Sequence, residues 1–429
     1  MGKWYILRVI LKIKNSPDHI RISRQLDSWA LHPITGPLLL ATICLSLLQM
    51  LFFCVGPLVD ILQHTLQGCQ HSLHQLLGNS LLVSLLADGI LTGVGSLLCL
   101  TPLIVVLFIF LGALQQCGYQ ARISHLLGRL FARVGLAPQT CTPMMASFAC
   151  AVPAMLALRN VPSKQQRLIA LLIIPFFPCS ARLPVYSLLI AACFAHLPST
   201  VYGGIHSETM ILFGLYSLGI LAALATAFVL KWWLAPTPLP APLMHDPRLP
   251  AYRIPSPTTL MRTALQQVWG FWKDAGTIIV AMSVVLWGLF VFPQHSTTPA
   301  TTHALELSYA GQLGKALHPL FAPLGFDWRI CVSLLASFAA REAFIPTLAI
   351  AHGLQNENLT HTAYLYSPAT ALALLVFFAL SMQCMSTLAT CKRETNSWMW
   401  PLLQWVYMGV LAWLFAWATY QIGAWAGFA

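Results

Sequence analysis

The stretch SFACAVP, Ser147 to Pro153, interrupts an apolar segment with a thiol and a proline. Pro153 lacks a backbone N–H donor, so a helix through this stretch cannot keep its full set of hydrogen bonds. Inside a bilayer a freed backbone group is tolerated only where protein or a water-filled cavity surrounds it. The stretch therefore predicts a broken helix that faces a cavity, with Cys150 beside the break.

The composition places this break in a membrane protein. Of the 429 residues, 58% are hydrophobic and 8% are charged, and the mean hydropathy is +0.72. Soluble domains carry roughly a quarter charged residues. The formal net charge of +11 comes from Lys and Arg that are spread between apolar runs, which argues against a nucleic-acid partner. We therefore expect an all-α polytopic membrane protein whose surroundings are the lipid bilayer.

Apolar runs of about 20 residues, the length that a helix needs to cross a bilayer, recur along the chain. They lie at 36–59, 97–116, 140–158, 167–195, 210–234, 275–292, 329–352, 367–391 and 401–427. Residues 60–96 are predicted to be an external loop that ends in an interfacial helix, 80–96, and 258–274 is predicted to be a second interfacial helix.

These runs divide the chain into four parts. The parts are a basic N-terminal segment, 1–35, a first membrane half, 36–234, a proline-rich cytoplasmic linker, 235–257, and a second membrane half, 258–429. The N-terminal segment is only briefly apolar and has no cleavage site after an apolar core, so we expect it to be cytoplasmic or interfacial and not a removed signal. The run 36–59 is an extra span before the two related regions described next.

The distribution of Lys and Arg predicts the orientation of these segments, because short cytoplasmic loops carry the excess of positive charge. Both flanks of 140–158 are rich in Arg and Lys, whereas the flanks of 329–352 carry few or none. One re-entrant segment would then enter from each side of the membrane, in halves of opposite sense. Inverted-topology repeats of this kind are the plan of many secondary transporters.

A short internal repeat supports two related halves. Gly135 is followed after twelve residues by Ser-Phe-Ala (147–149), and Gly325 is followed after twelve residues by Ser-Phe-Ala (337–339). The two copies are offset by 190 residues and fall on the two segments that the charge distribution marks. The repeat indicates two gate-like units, each with a broken or re-entrant helix.

Two more thiols and one carboxylate lie in comparable places. Cys179 follows prolines in PFFPCSARLPVY, and Cys384 lies in SMQCMSTL of the second half. Glu342, in SFAAREAFIP, is an acidic residue well inside an apolar segment, where an ionisable group is costly enough to indicate function. The alternative that Glu342 only pairs with Arg341 or Arg182 stays open.

Thiols and a carboxylate that converge from both halves suit a borderline first-row divalent cation better than Mg²⁺ or Ca²⁺, which prefer oxygen shells. The predicted metal ligands are Cys150, Cys179, Cys384 and Glu342. Secondary positions along the same path are Ser147, Ser180, Met382 and Met385; for each of these four, simple packing is the alternative.

Two other interpretations carry less weight. His64, Cys69, His71 and His74 form a polar cluster, but their spacing matches no established metal site and fits an ordinary external loop. Asp88, at the start of a span, fits a solvated cap better than a ligand. A cysteine-nucleophile enzyme would need a positioned base, and no histidine lies in the apolar segments that hold these thiols. We therefore expect a protein that is not an enzyme.

At these motifs the chain resembles the bacterial ferrous iron transport protein B (FeoB) family. The ordered matches run through GPLVDIL, DGILTGVGSLL, GYQAR, ACAVPAMLALR, PCSARLPVY, WKDAGTIIV, FAPLGFDWRI, SFAAREA and KRETNSWMWPLLQWVYM. The resemblance implies the family's membrane domain in a bacterial inner membrane, with two inverted gate repeats that form a path for Fe²⁺. It also implies that Cys150, Cys179, Cys384 and Glu342 fall on motifs that line this path, with Fe²⁺ as cargo and no resident cofactor.

Two departures from the family pattern affect this expectation. The sequence contains no GxxxxGK[ST] phosphate-binding loop, so we expect no GTP binding by this chain in the usual way. The family's acidic pair before GYMAR is replaced by Gln115 and Gln116 in QQCGYQAR. Three alternatives stay open: a regulatory membrane subunit that transports nothing, a transporter that depends on a separate GTPase or small cytoplasmic protein, and a transporter of another divalent metal or small solute. Whether the chain forms a homo-oligomer also stays open.

Overall fold

The structure, a computed structural model, describes most of both membrane halves. The described residues are 27–32, 35–50, 55–78, 80–136, 138–148, 150–194, 207–234, 252–253, 255–293, 302–339, 341–353, 366–382 and 384–427. The predicted segment 1–35 and linker 235–257 lie mostly outside them. Every regular element in these ranges is helical, which confirms the prediction of an all-α protein.

The helices follow one another with short connections. In the first half they are α1 (Thr35–Met50), α2 (Gly56–Leu77), α3 (Leu81–Gln116), α4 (Tyr119–Arg133), α5 (Cys141–Ser147), α6 (Ala151–Ala157), α7 (Lys164–Ile173), α8 (Leu183–Phe194) and α9 (Ser207–Leu234). In the second half they are α10 (257–291), α11 (Thr302–Leu307), α12 (Tyr309–Phe321), α13 (Trp328–Ala339), α14 (Phe344–Ala351), α15 (Pro368–Leu380), α16 (Met385–Thr395) and α17 (Met399–Trp425).

Several of these helices are long and apolar enough to cross a membrane. Within the described ranges there are four such stretches: α3, most of α9, the run through α15 and α16, and α17. The pair formed by α12 and α13 makes a fifth if it is counted as one span, and its two parts are bent by 108°. A bend of this size fits a broken or re-entrant span, and together these helices make the chain a multi-pass membrane protein.

The prediction for residues 60–96 is wrong. Residues 56–77 form a helix, α2, and α3 begins at Leu81 and continues without a break to Gln116. Polar side chains of α2 find partners on α3, since Gln70 Nε2 donates to Thr92 Oγ1 at 2.9 Å. Segment 80–96 is therefore the first part of a spanning helix, and 258–274 is likewise the first part of α10.

The helices α3 and α10 pack side by side in opposite directions. Ser283 Oγ donates to the Gly89 carbonyl at 2.9 Å near one end of the contact, and Trp272 Nε1 donates to Thr101 Oγ1 at 3.0 Å further along. Each helix contains a π-helical turn, at Leu85–Leu91 and at Trp272–Gly276. The first turn includes Asp88 and the second includes residue 274, also an aspartate. Such turns occur frequently at functional sites.

The structure matches the 190-residue repeat over more than its sequence motif. Tyr119–Arg133 and Tyr309–Phe321 begin 190 residues apart. Each is followed by a glycine with positive φ, 83° at Gly135 and 75° at Gly325. The next residue then donates its N–H back into the helix, from Leu136 to Phe131 O at 3.0 Å and from Phe326 to Phe321 O at 3.4 Å. Two sequence segments thus form the same helix end and reversal, as their common spacing predicts.

The helix α15 forms the centre of the packed core. Every residue of α15 except Pro368 and Leu372 is buried, and it packs against α17, α9 and α8. A helix that is apolar on all sides fits a position surrounded by other helices. Because α15 ends at Leu380, its carboxyl end brings the following break, 381–384, into the middle of the molecule.

Candidate functional site

The candidate site lies where helices of both halves stop and restart. Described breaks separate α5 from α6 at 148–150, the 3₁₀ turn Ile174–Phe176 from the next one, Ser180–Arg182, at 177–179, and α15 from α16 at 381–384. A fourth break follows α13, before the 3₁₀ turn Arg341–Ala343. Pro153 is accommodated at the start of the second short helix, where no intrahelical donor is lost. The predicted broken helices are present in both halves.

Two of the predicted thiols have the same backbone setting. Cys150 and Cys384 each precede a short helix in extended conformation, with φ −155° and ψ 135° for Cys150 and φ −148° and ψ 108° for Cys384. Both residues are partly buried, and the helices that they precede, α6 and α16, pack against each other. The two cysteines therefore begin neighbouring helices that belong to different halves of the chain.

The third thiol is tied to the second half by an arginine. Cys179 is 9% exposed, and Arg341 Nη1 donates to its sulfur at 3.5 Å. The 3₁₀ turns Ser180–Arg182 and Arg341–Ala343 pack against each other. Cys150 in turn lies within electrostatic range of Cys179, Cys384 and Arg341. The structure thus brings the three predicted cysteines into one region.

Arg182 holds two breaks together. Its side chain is fully buried and donates to four backbone carbonyls. They are Phe176 O at 3.5 Å, Ala379 O at 2.9 Å, Pro175 O at 3.0 Å and Ser381 O at 3.2 Å. These carbonyls end helical segments of both halves, where no intrahelical donor is available and the partial charge is negative. One guanidinium therefore caps a helix end in each half and fixes the breaks relative to each other.

Aromatic rings join the first two breaks. Phe148 meets Phe177 edge to face with ring centroids 5.4 Å apart, and it stacks on Tyr216 of α9 at 6.3 Å. Contacts of this geometry add specific attraction to the buried apolar area. The break beside Cys150 is therefore packed directly against the break beside Cys179.

The secondary candidates have different surroundings. Ser147 is buried and its Oγ donates to Met144 O within α5, while Ser337, at the repeat position, donates to Leu334 O at 2.7 Å. Met382 is buried and Met385 is partly buried, both at the break 381–384. Ser180 and Glu342 belong to the two 3₁₀ turns that pack together, but their side chains lie outside the described residues. The hydroxyl of Ser147 is therefore already bonded, which fits a structural role.

The donor set is not closed around one point. Among the side chains that the structure describes, no three His, Cys, Asp or Glu residues are grouped closely enough to hold a metal ion. This arrangement differs from a preformed tetrahedral or octahedral site. What the region can offer a soft cation is a series of sulfur donors along a path, with Glu342 in an adjoining turn.

The histidine cluster of α2 does not gather into a site within the described part of the chain. His74 Nε2 lies 3.3 Å from Asp88 Oδ1, and Ser84 Oγ donates to Asp88 Oδ2 at 2.9 Å. His71 contacts Gln75 on its own helix at 2.8 Å. Asp88 thus has partners on two helices, which differs from the solvated cap that the sequence suggested.

Sequence reasoning misses the structural importance of two arginines. It treats Arg182 and Arg341 only as partners for Glu342, yet Arg182 is fully buried and Arg341 is 8% exposed. The available signal is their position, since both lie in apolar segments where a cation is rare and functional by default.

Comparison with known proteins agrees with this architecture. The family model described as "Gate: Nucleoside recognition" matches residues 97–193 and 272–398, and the model for the ferrous iron transport protein B C terminus matches 212–267. Each gate match contains two of the four breaks. No solved structure matches the chain.

Relatives named Fe(2+) transporter FeoB match over nearly the whole chain. The protein of Leptospira biflexa is 36% identical over 98% of this chain and 63% of its own length. Those of Staphylococcus aureus strain MSSA476 and Methanocaldococcus jannaschii are 33% and 31% identical over 98% and 96% of this chain, and over 62% and 60% of their own lengths. The chain thus spans about three fifths of the length of these relatives.

Two gate regions in an all-helical, multi-pass membrane chain define a gate-domain membrane protein. Within that class, the chain belongs to the ferrous iron transport protein B family and carries the membrane region of that family.

Proposed function

We propose that the chain transports ferrous iron across the bacterial inner membrane, along a path between its two gate regions. The observation that carries the proposal is the meeting of helix breaks from both halves at Cys150, Cys179 and Cys384. Broken helices from paired repeats form the central sites of many secondary transporters. The names of the relatives supply the cargo.

The proposed ligands follow from the chemistry of Fe²⁺. Thiolate and carboxylate groups suit a borderline first-row cation, so Cys150, Cys179 and Cys384 would bind the ion in turn and Glu342 would supply negative charge. Met382 and Met385 could add thioether contacts beside Cys384, and Ser147 and Ser180 are secondary positions. A series of donors without a closed site favours passage over storage, because conduction requires binding that is weak enough to allow release.

The orientation and energy source are part of the proposal. The excess of Arg and Lys at the flanks of 140–158 supports a cytoplasmic N-terminus and inverted gate repeats. The 429 residues contain no GxxxxGK[ST] motif, so we propose that a GTPase or a small cytoplasmic protein encoded separately acts on this chain when transport needs nucleotide energy.

The test is Fe²⁺ flux into proteoliposomes under anaerobic conditions, with the purified chain alone and with candidate GTPase partners. Cys150→Ser and Glu342→Gln should each lower the flux by about tenfold or more. Cys69→Ser is the matched control, since Cys69 is exposed on α2 and its substitution should leave the flux unchanged. Normal flux in both Cys150→Ser and Glu342→Gln would exclude these residues as the path.

A second function has one observation in its favour. The gate model is described by nucleoside recognition, and two buried guanidinium groups lie beside the thiols. A small anionic or polar solute would suit such groups better than a cation. Flux that is insensitive to Fe²⁺ competition but is driven by a radiolabelled nucleoside would support this cargo and contradict iron transport.

A further inference from the structure

The guanidinium of Arg341 lies beside one of the proposed iron ligands. Its Nη1 is 3.5 Å from Cys179 Sγ, and the residue is 8% exposed. A divalent metal binds a thiolate sulfur at about 2.3 Å. Even with the two contacts on opposite sides of the sulfur, a cation bound there would lie within about 6 Å of Nη1. A cation and an arginine would therefore share the same stretch of the path.

The two arginines of this region differ in how they are held. Arg182 is bound to four carbonyls of two helix ends, which balance its charge and fix its position. Arg341 reaches across to a sulfur of the other half. The two guanidinium groups also interact with each other electrostatically. A metal cation beside Cys179 would thus add positive charge next to two positive groups.

We propose that Arg341 is a built-in counter-charge that weakens iron binding at Cys179 and so speeds release of the ion. This inference rests on the proposed function, because it assumes that Fe²⁺ passes Cys179. Repulsion between like charges a few ångströms apart is large in surroundings of low dielectric constant. Transport needs binding that admits the ion and yet lets it leave, and a fixed positive charge beside a strong sulfur ligand supplies the second condition.

The proposal predicts an effect opposite to that of structural damage. Arg341→Gln removes the charge and keeps a hydrogen-bond donor. It should bind Fe²⁺ more tightly, by about tenfold or more, while steady-state flux falls because release slows. Arg341→Lys keeps the charge and should stay near the parent chain in both measurements. Arg182→Gln is the matched control, because loss of its four carbonyl contacts should weaken both binding and flux.

The experiment uses the full chain in nanodiscs for anaerobic Fe²⁺ titration calorimetry and in proteoliposomes for flux. Weaker or unchanged Fe²⁺ binding by Arg341→Gln, in a preparation whose parent chain transports iron, would overturn the inference and leave the proposed function intact. A parent chain that neither binds nor transports Fe²⁺ would instead overturn the proposed function.

A second measurement tests the charge without metal. Anionic and cationic methanethiosulfonate reagents are compared for their rate of reaction at Cys179, with mass spectrometry of the peptide that contains it. The parent chain and Arg341→Lys should favour the anionic reagent, and Arg341→Gln should lose about tenfold of that preference. An equal preference in all three proteins would show that Arg341 places no effective charge at Cys179 and would contradict the proposal.

Discussion

Arg159 and Glu394 form an ion pair that joins the two halves of the chain. Arg159 Nε donates to Glu394 Oε1 at 2.8 Å, and Arg167 Nη2 donates to the Glu394 carbonyl at 3.1 Å. Arg159 follows α6 and Glu394 lies near the end of α16, so the pair closes the far ends of the two helices that begin beside Cys150 and Cys384. Opening a path between α6 and α16 would require this contact to break.

The ion pair should be measurable as a coupling between the halves. The Arg159 side chain is 52% exposed, whereas that of Glu394 is 5% exposed. We therefore expect Glu394→Gln to lower the free energy of unfolding by more than Arg159→Gln does. The coupling in a double-mutant cycle should be about 1 kcal/mol, because one partner remains in solvent. The measurement is the midpoint of detergent-induced unfolding of the four proteins.

Reversal of the pair gives a control for this result. The double variant Arg159→Glu with Glu394→Arg should recover part of the stability that either single reversal loses. Strictly additive effects in the cycle would mean that the two side chains do not interact in the membrane protein.

The glycines at the repeated helix ends should differ in their tolerance of alanine. Both Gly135 and Gly325 have positive φ, which costs an alanine roughly 1–2 kcal/mol. A Cβ on Gly325 would also overlap Cε2 of the Tyr420 ring, whereas one on Gly135 would meet the aliphatic chain of Lys231 at 2.8 Å. Because a lysine side chain can shift more easily than a packed ring, Gly325→Ala should lower the unfolding midpoint more than Gly135→Ala. Equal losses would show that backbone strain alone decides the effect.

The contact between α3 and α10 depends on one small residue. A Cβ on Gly93 would overlap Ser283 Oγ and lie 3.1 Å from Val280 Cα, while one on Gly89 would meet Trp287 at an ordinary 3.4 Å. Gly93→Ala should therefore destabilise the chain by about 1–3 kcal/mol, and Gly89→Ala should be close to neutral. Unfolding midpoints of both variants provide the test, and a neutral Gly93→Ala would contradict the close packing of these helices.

The sequence could predict the breaks because their causes are local. Pro153 lacks a donor wherever it is placed, and a thiol beside it can be read from the chain alone. The 190-residue repeat could also be predicted, since Gly135 and Gly325 occur where the backbone needs positive φ. The loop prediction for 60–96 failed because partners such as Gln70 and Thr92 come together only through packing of two helices.

The electrostatics of the site could not be predicted in the same way. Arg182 meets carbonyls at residues 379 and 381, nearly 200 positions away, and Arg341 meets Cys179 across the two halves. Neither contact follows from periodicity or spacing, because both depend on how the carboxyl ends of two broken helices are brought together. Sequence indicates that a buried arginine is costly, but only the fold shows which groups balance its charge.

Iron binding by the proposed thiol path should weaken in acid. A cysteine must lose its proton to act as a strong metal ligand, so binding releases protons and the affinity falls as pH decreases. Fe²⁺ titration calorimetry in two buffers of different ionisation enthalpy counts the protons released at each pH. Cys150→Ser should release fewer protons than the parent chain and show a shallower dependence of affinity on pH, whereas Cys69→Ser should match the parent in both. An identical proton count in the parent and Cys150→Ser would mean that Cys150 does not bind iron as a thiolate.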